Sequence, residues 1–176
     1  MEKNDNELLK KSLKKTKEIA TFLKRTKSFS KVDLELNKLN FLTSQIDVKD
    51  LTEDLSLEIL DSRYSKCLDL QKNSEKILTK IKKAEYETAS IIQVLRTYET
   101  DFNNLNKELQ ESFSKNKEEK IYAMSLIIQQ DLKVIEVYLK NGEELVEKAD
   151  LAVDIGVKLF KNYLSKIIKL KKEKLK

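Results

Sequence analysis

Few side chains in this sequence could do covalent or metal chemistry. Histidine and tryptophan are absent, and Cys67 is the one thiol. Nucleophile–base triads therefore lose their usual base. Zinc sites want clustered cysteine and histidine, and a di-iron bundle needs Glu-x-x-His on paired helices, so neither pattern can be built. No glycine-rich loop exists to cradle a phosphate. What remains is carboxylates: Asp150 and Asp154 lie one helical turn apart, as do Glu143 and Glu147. Such a pair does acid–base work when it is buried and coupled. On lysine-rich helices the same spacing reads as solvated charge. Cys67 falls in an apolar stripe between Tyr64 and Leu68, which reads as a small buried hydrophobe rather than a reactive thiol. The expectation is a protein that is not an enzyme and uses no cofactor, no metal and no small-molecule substrate.

The elements that would carry these residues are helices. The 176 residues contain no proline and two glycines, Gly142 and Gly156, so the strongest breakers of regular structure are nearly missing. Hydrophobic residues make up 40% and charged residues 37%, too apolar for a disordered chain and suited to amphipathic helices with charged outer faces. Apolar runs such as Met124-Ser125-Leu126-Ile127-Ile128 are too short to span a membrane. The segment from Met1 to Asp5 has no signal-peptide core. One cysteine leaves the redox compartment open. A single domain over 1–176 is expected at this length.

Read along the chain, a first helix is predicted from about Asn6 to Lys27, with Leu8, Leu9, Leu13, Ile19, Ala20 and Leu23 inward and Asn4 or Asp5 as its cap. Thr26 to Ser30 forms the first break, and Ser30 with Asp33 opens a shorter helix. Asp47 caps a further segment. From about Leu57 the apolar phase runs for some fifty residues, a helix of about 75 Å if unbroken. That is too long for a compact bundle, so a break is expected at Asn73-Ser74 or between Thr97 and Asp101. Ser114 to Asn116 is a polar link. Asn141-Gly142 should end the helix after it, with glycine in a left-handed cap. Glu143 and Glu144 then open the last helix, where Gly156 marks a close crossing or is simply tolerated. The fold class is all-α, an extended helical bundle of five to seven helices, with the two longest antiparallel across Asn141-Gly142.

The net charge of +5 is unevenly spread. Lysines crowd both ends, while Asp47, Asp50, Glu53, Asp54, Glu58 and Asp61 fall together. Basic ends read either as a solvated surface or as a face for nucleic acid or anionic membrane. Only Arg25, Arg63 and Arg96 are arginines, which counts against a dedicated DNA reader. Phe29 stands beside Lys24, Arg25 and Lys27 in the first break. There it is either an exposed protein-contact anchor or a staple between two helices.

The lysine, asparagine and isoleucine bias, the proline-poor helices, and stretches such as Leu9-Lys10-Lys11-Ser12-Leu13-Lys14-Lys15 and Asn104-Leu105-Asn106-Lys107-Glu108-Leu109 carry a resemblance. The chain resembles helical domains of outer-surface lipoproteins from Lyme and relapsing-fever spirochaetes. Within them it looks most like the C-terminal domain of the OspE/F-like leader peptide (Erp/Elp) lipoproteins of Borrelia-type spirochaetes. The resemblance implies a non-enzymatic binder of a host protein, and some members bind and block the initiating serine proteases of the classical complement pathway. It also implies a bacterial outer-surface location through a lipid anchor that this chain lacks, since Cys67 is mid-helix. Related fibronectin-binding lipoproteins present an arginine to the protease from a helical domain. Carried onto this sequence, the partner-binding residues would be Lys24, Arg25 and Lys27, with Phe29 as neighbour. Arg25 is the arginine at a helix end leading into a short loop, and it reads equally as ordinary C-terminal helix charge. The alternative is a cytoplasmic helical scaffold or coiled-coil adaptor without inhibitory activity.

Overall fold

The computed structural model describes residues 2–176. All regular structure among them is helical: α1 (Lys3–Leu23), α2 (Lys27–Thr43), a 3-10 turn (Val48–Asp50), α3 (Leu57–Asn116) and α4 (Glu119–Lys174). The all-α expectation holds, but five to seven helices do not form. Both predicted interruptions of the long segments are absent.

The reason lies in hydrogen bonding at the polar residues read as breaks. Ser74 is 1% exposed, and its hydroxyl donates to the Gln71 carbonyl of its own helix. Thr97 and Thr100 donate to the carbonyls of Gln93 and Arg96, one turn earlier. Asp101 accepts from Lys15 on α1 instead of capping. Hydroxyls bonded back to the i−3 or i−4 carbonyl stay inside a helix, so these residues continue α3. Gly142 does not end a helix either, and neither glycine has a positive φ. The turn between the long helices is Lys117-Glu118, where Lys117 takes φ 52° and its N–H reaches the Phe113 carbonyl at 2.8 Å. This is a left-handed cap formed without glycine. A lysine there costs about 1 kcal/mol.

Contacts group the chain into two compact units. Unit 1 is the chain up to Phe29 with Glu87–Glu144, and unit 2 is Ser30–Tyr86 with Leu145–Lys176. Each unit takes one half of α3 and one half of α4.

In unit 1, Ile19, Leu95, Phe102, Leu105, Ile128 and Ile135 are almost wholly buried. The start of α1 carries no side-chain cap. Asp5, expected as a cap, is 4% exposed and accepts from Ser112 and from Asn116 at 3.0 Å. Leu13, expected inward, is 47% exposed, because the buried positions of α1 are Asp5, Ser12 and Ile19.

In unit 2, the core joins Ile46, Leu51, Leu60, Cys67, Leu70, Phe160, Tyr163, Ile167 and Leu170. Cys67 is fully buried, as its apolar stripe predicts, and burial pushes its thiol up to about 11. Asp47 caps the 3-10 turn as expected, accepting from the Lys49 N–H at 2.9 Å. Lys171, Lys172 and Lys174 lie in the last turn of α4, facing the negative end of its dipole.

Candidate functional site

The predicted partner residues surround the turn between α1 and α2. That turn is three residues long, Lys24 to Thr26. It closes through the Arg25 N–H to the Phe22 carbonyl at 2.9 Å and the Thr26 hydroxyl to the Leu23 carbonyl at 2.8 Å. The turn places Lys24 and Arg25 at the surface, with Lys27 opening α2, and all three side chains are exposed.

Phe29 is not with them. The break ends before Lys27, so Phe29 belongs to α2, where it is 9% exposed. Its ring lies 6.3 Å from that of Tyr138 and stands over Gly142. A Cβ at Gly142 would come within 2.9 Å of the Phe29 Cζ and 3.0 Å of Ile92. Phe29 is a buried side chain and not an exposed anchor, and its ring sits against Tyr138 and Gly142 of α4, beside Ile92 of α3, where the missing side chain at Gly142 makes room for it.

The three arginines differ in what they touch. Arg63 donates to the Asp50 carbonyl at 2.8 Å, and Arg96 pairs with Glu143. Among the described residues Arg25 makes no salt bridge. It shares a groove of about 440 Å³ in unit 1 with Lys14, Lys17, Glu18, Thr21, Phe22 and Tyr98. Lys14 and Lys17 likewise make no salt bridge among the described residues. Glu18 is opposed by Lys15 at 3.6 Å, and Lys15 is held mainly by Asp101 at 3.1 Å, whose hydrogen bond raises the lysine's pKa. The floor is aromatic, with the Phe22 and Tyr98 rings 5.5 Å apart and tilted by 42°.

Sequence reasoning reached the Arg25 end of this groove but missed Lys14, Lys17, Phe22 and Tyr98. A signal did exist, since Lys14, Lys17, Thr21 and Arg25 follow each other at helical steps along one face. Nothing local marks Tyr98, which arrives from α3.

The carboxylates read as surface charge divide. Asp154 pairs with Lys158 on an exposed face. Asp150 hydrogen-bonds Glu85 of α3, whose carboxyl is pushed up to about 7, first by burial and then by Asp150. No group of His, Cys, Asp and Glu that could hold a metal ion occurs among the described residues. No described helix is long and apolar enough to cross a membrane. No family model matches this chain, and neither the curated proteins nor the solved structures include a match.

Proposed function

We propose that this chain is a non-enzymatic surface binding protein that engages a host protein through the basic turn at Lys24, Arg25 and Lys27. The proposed target is an initiating serine protease of the classical complement pathway, inhibited by occupation of its active site or an adjoining surface. One observation supports the reading most: Arg25 is exposed, carries no salt bridge among the described residues, and sits on a short turn held by its own backbone bonds. Trypsin-like proteases have an acidic specificity pocket that accepts an extended basic side chain. A turn closed by its own hydrogen bonds lowers the entropic cost of offering one. The spirochaetal resemblance supplies the identity of the target and the outer-surface location.

Capture from human serum on the immobilised protein tests the proposal. Retention of a first-component protease is expected, and recovery of no complement component overturns it.

A second reading, a helical adaptor, is favoured by a different feature. Unit 2 has an open apolar groove of about 280 Å³ between α2 and α4, lined by Leu36, Leu39, Leu151, Ile155 and Gly156 among others. Leu151 and Ile155 are 61% and 53% exposed there.

A further inference from the structure

We propose that the α1–α3 groove of unit 1 is a docking site for a short acidic peptide segment that carries an aromatic or long aliphatic side chain between its carboxylates. The inference rests on the same basic face as the proposed function and specifies the chemistry that this face recognises.

Charge supports the sign of the ligand. Lys14, Lys17 and Arg25 line the groove without a salt bridge among the described residues, whereas the one acid there, Glu18, is opposed by Lys15. Three cations against the one acid, Glu18, around a concave, partly apolar surface focus positive potential into it. A carboxylate docking there gains a partner without displacing an existing one. Arg25 adds a planar fork suited to a bidentate carboxylate.

Spacing sets the length. Lys14 to Leu23 spans nine residues of α1, about 14 Å at 1.5 Å per residue, and Arg25 lies two residues further on, in the turn. An extended peptide covers that distance in about five residues. Carboxylates at its two ends would reach Lys14 and Lys17 on one side and Arg25 on the other. Phe22 lies between them along α1, with Tyr98 tilted against it, so the middle of the peptide meets the aromatic floor. An apolar side chain there removes ring surface from water, a gain that a plain polyanion does not provide. The single guanidinium is also a poor match for repeated phosphates, which leaves a peptide favoured over a nucleic acid.

The test uses the full chain and three fluorescein-labelled pentapeptides, read by fluorescence anisotropy at physiological salt. One has glutamate at both ends and phenylalanine in the centre, the second replaces phenylalanine by serine, and the third replaces both glutamates by lysine. The first should bind at least fivefold more tightly than the second, and the third should not bind. Lys14→Ala combined with Lys17→Ala, and separately Arg25→Ala, should each weaken the first peptide about tenfold with circular dichroism unchanged. No binding of the first peptide, equal binding of the first two, or stronger binding of a single-stranded oligonucleotide overturns the proposal. The peptides contain no complement protein, so the two readings fail separately. Loss of peptide binding with serum capture intact removes only the groove, and the reverse removes only the protease.

Discussion

The two glycines on α4 sit in different units and do opposite jobs. In unit 1, Gly142 has Phe29 and Ile92 pressed to within about 3 Å of where a Cβ would be. In unit 2, the corresponding atom at Gly156 would meet Leu39 at 3.6 Å, an ordinary contact, on the wall of an open groove. Both are helical glycines of equal intrinsic cost. What separates them is the partner helix: unit 1 has closed over its glycine with an aromatic ring, and unit 2 has left the space open. Both units also carry polar ties. Unit 1 is fastened by Asp5 to Ser112 and Asn116, by Lys15 to Asp101, and by the Thr88 hydroxyl to Ser28 at 3.2 Å. Unit 2 joins its apolar cluster to ties from Arg63 to the Asp50 carbonyl, from Lys166 to the Val48 carbonyl and from Lys171 to Asp61, and carries a carboxyl pair, Glu85 and Asp150. Unit 1 offers partners a basic groove with an aromatic floor, whereas unit 2 offers an apolar seat beside Gly156.

The comparison can be broken first at Asp5. Asp5→Ala leaves the Ser112 hydroxyl and the Asn116 amide without their acceptor, at a cost of about 1–3 kcal/mol in urea unfolding. A change within a few tenths would mean that these bonds merely exchange with water.

Substitution of the glycines comes next, and the two should move in opposite directions. Gly142→Ala forces the Phe29 ring and Ile92 to shift, and that overpacking outweighs the helix propensity gained, for a net loss of about 1–2 kcal/mol. Gly156→Ala meets no obstacle and should gain about 0.5–1 kcal/mol. Thermal melts of the pair decide the matter, and equal shifts would erase the distinction drawn between the units.

The smallest effect sharpens the contrast through pH. Glu85 faces Asp150 from α4 and has Lys82 beside it on its own helix. Its folded pKa of about 7 lies above the ordinary 4.5, so the native state binds the extra proton. This contribution is complete below pH 4.5 and is lost as pH rises through 7. Because Glu85 is half-buried and Asp150 exposed, solvent screening reduces the effect to about 1 kcal/mol. Glu85→Gln should be that much more stable than the parent at pH 8 and nearly equal to it at pH 4. A parallel pair of stability curves across this range would show that the two carboxyls are uncoupled.

Where the sequence was legible, the signal was local. Helical class followed from the missing breakers, the burial of Cys67 from its stripe, and the cap at Asp47 from its side chain. What stayed hidden depended on distant partners. Thr97, Thr100 and Asp101 looked like a stop, yet whether such residues cap a helix or continue it is decided by which acceptor or donor the folded chain brings near. Gly142 looked like a terminus because its two constraints, Phe29 and Ile92, lie far off in sequence. The same ring decides between the two readings of Phe29, since an aromatic beside three cations is exposed only if no cavity receives it. The exposure of Lys24, Arg25 and Lys27 was legible because a helix end projects its charges whatever the tertiary structure. Lys14 and Lys17 were visible as a stripe, but only the arrival of Tyr98 makes that stripe the wall of a groove.

The proposal that the basic turn is the contact surface is tested most directly by comparing two arginines of unit 1. Arg25 carries no salt bridge among the described residues, and Arg96 is paired with Glu143. Surface plasmon resonance should be run on the captured complement protease with the parent, Arg25→Ala and Arg96→Ala chains, all checked for equal helicity. The account predicts a loss of at least about 2 kcal/mol, roughly thirtyfold, for Arg25→Ala and less than about twofold for Arg96→Ala. Unchanged affinity of Arg25→Ala, or equal losses for the two, would contradict it.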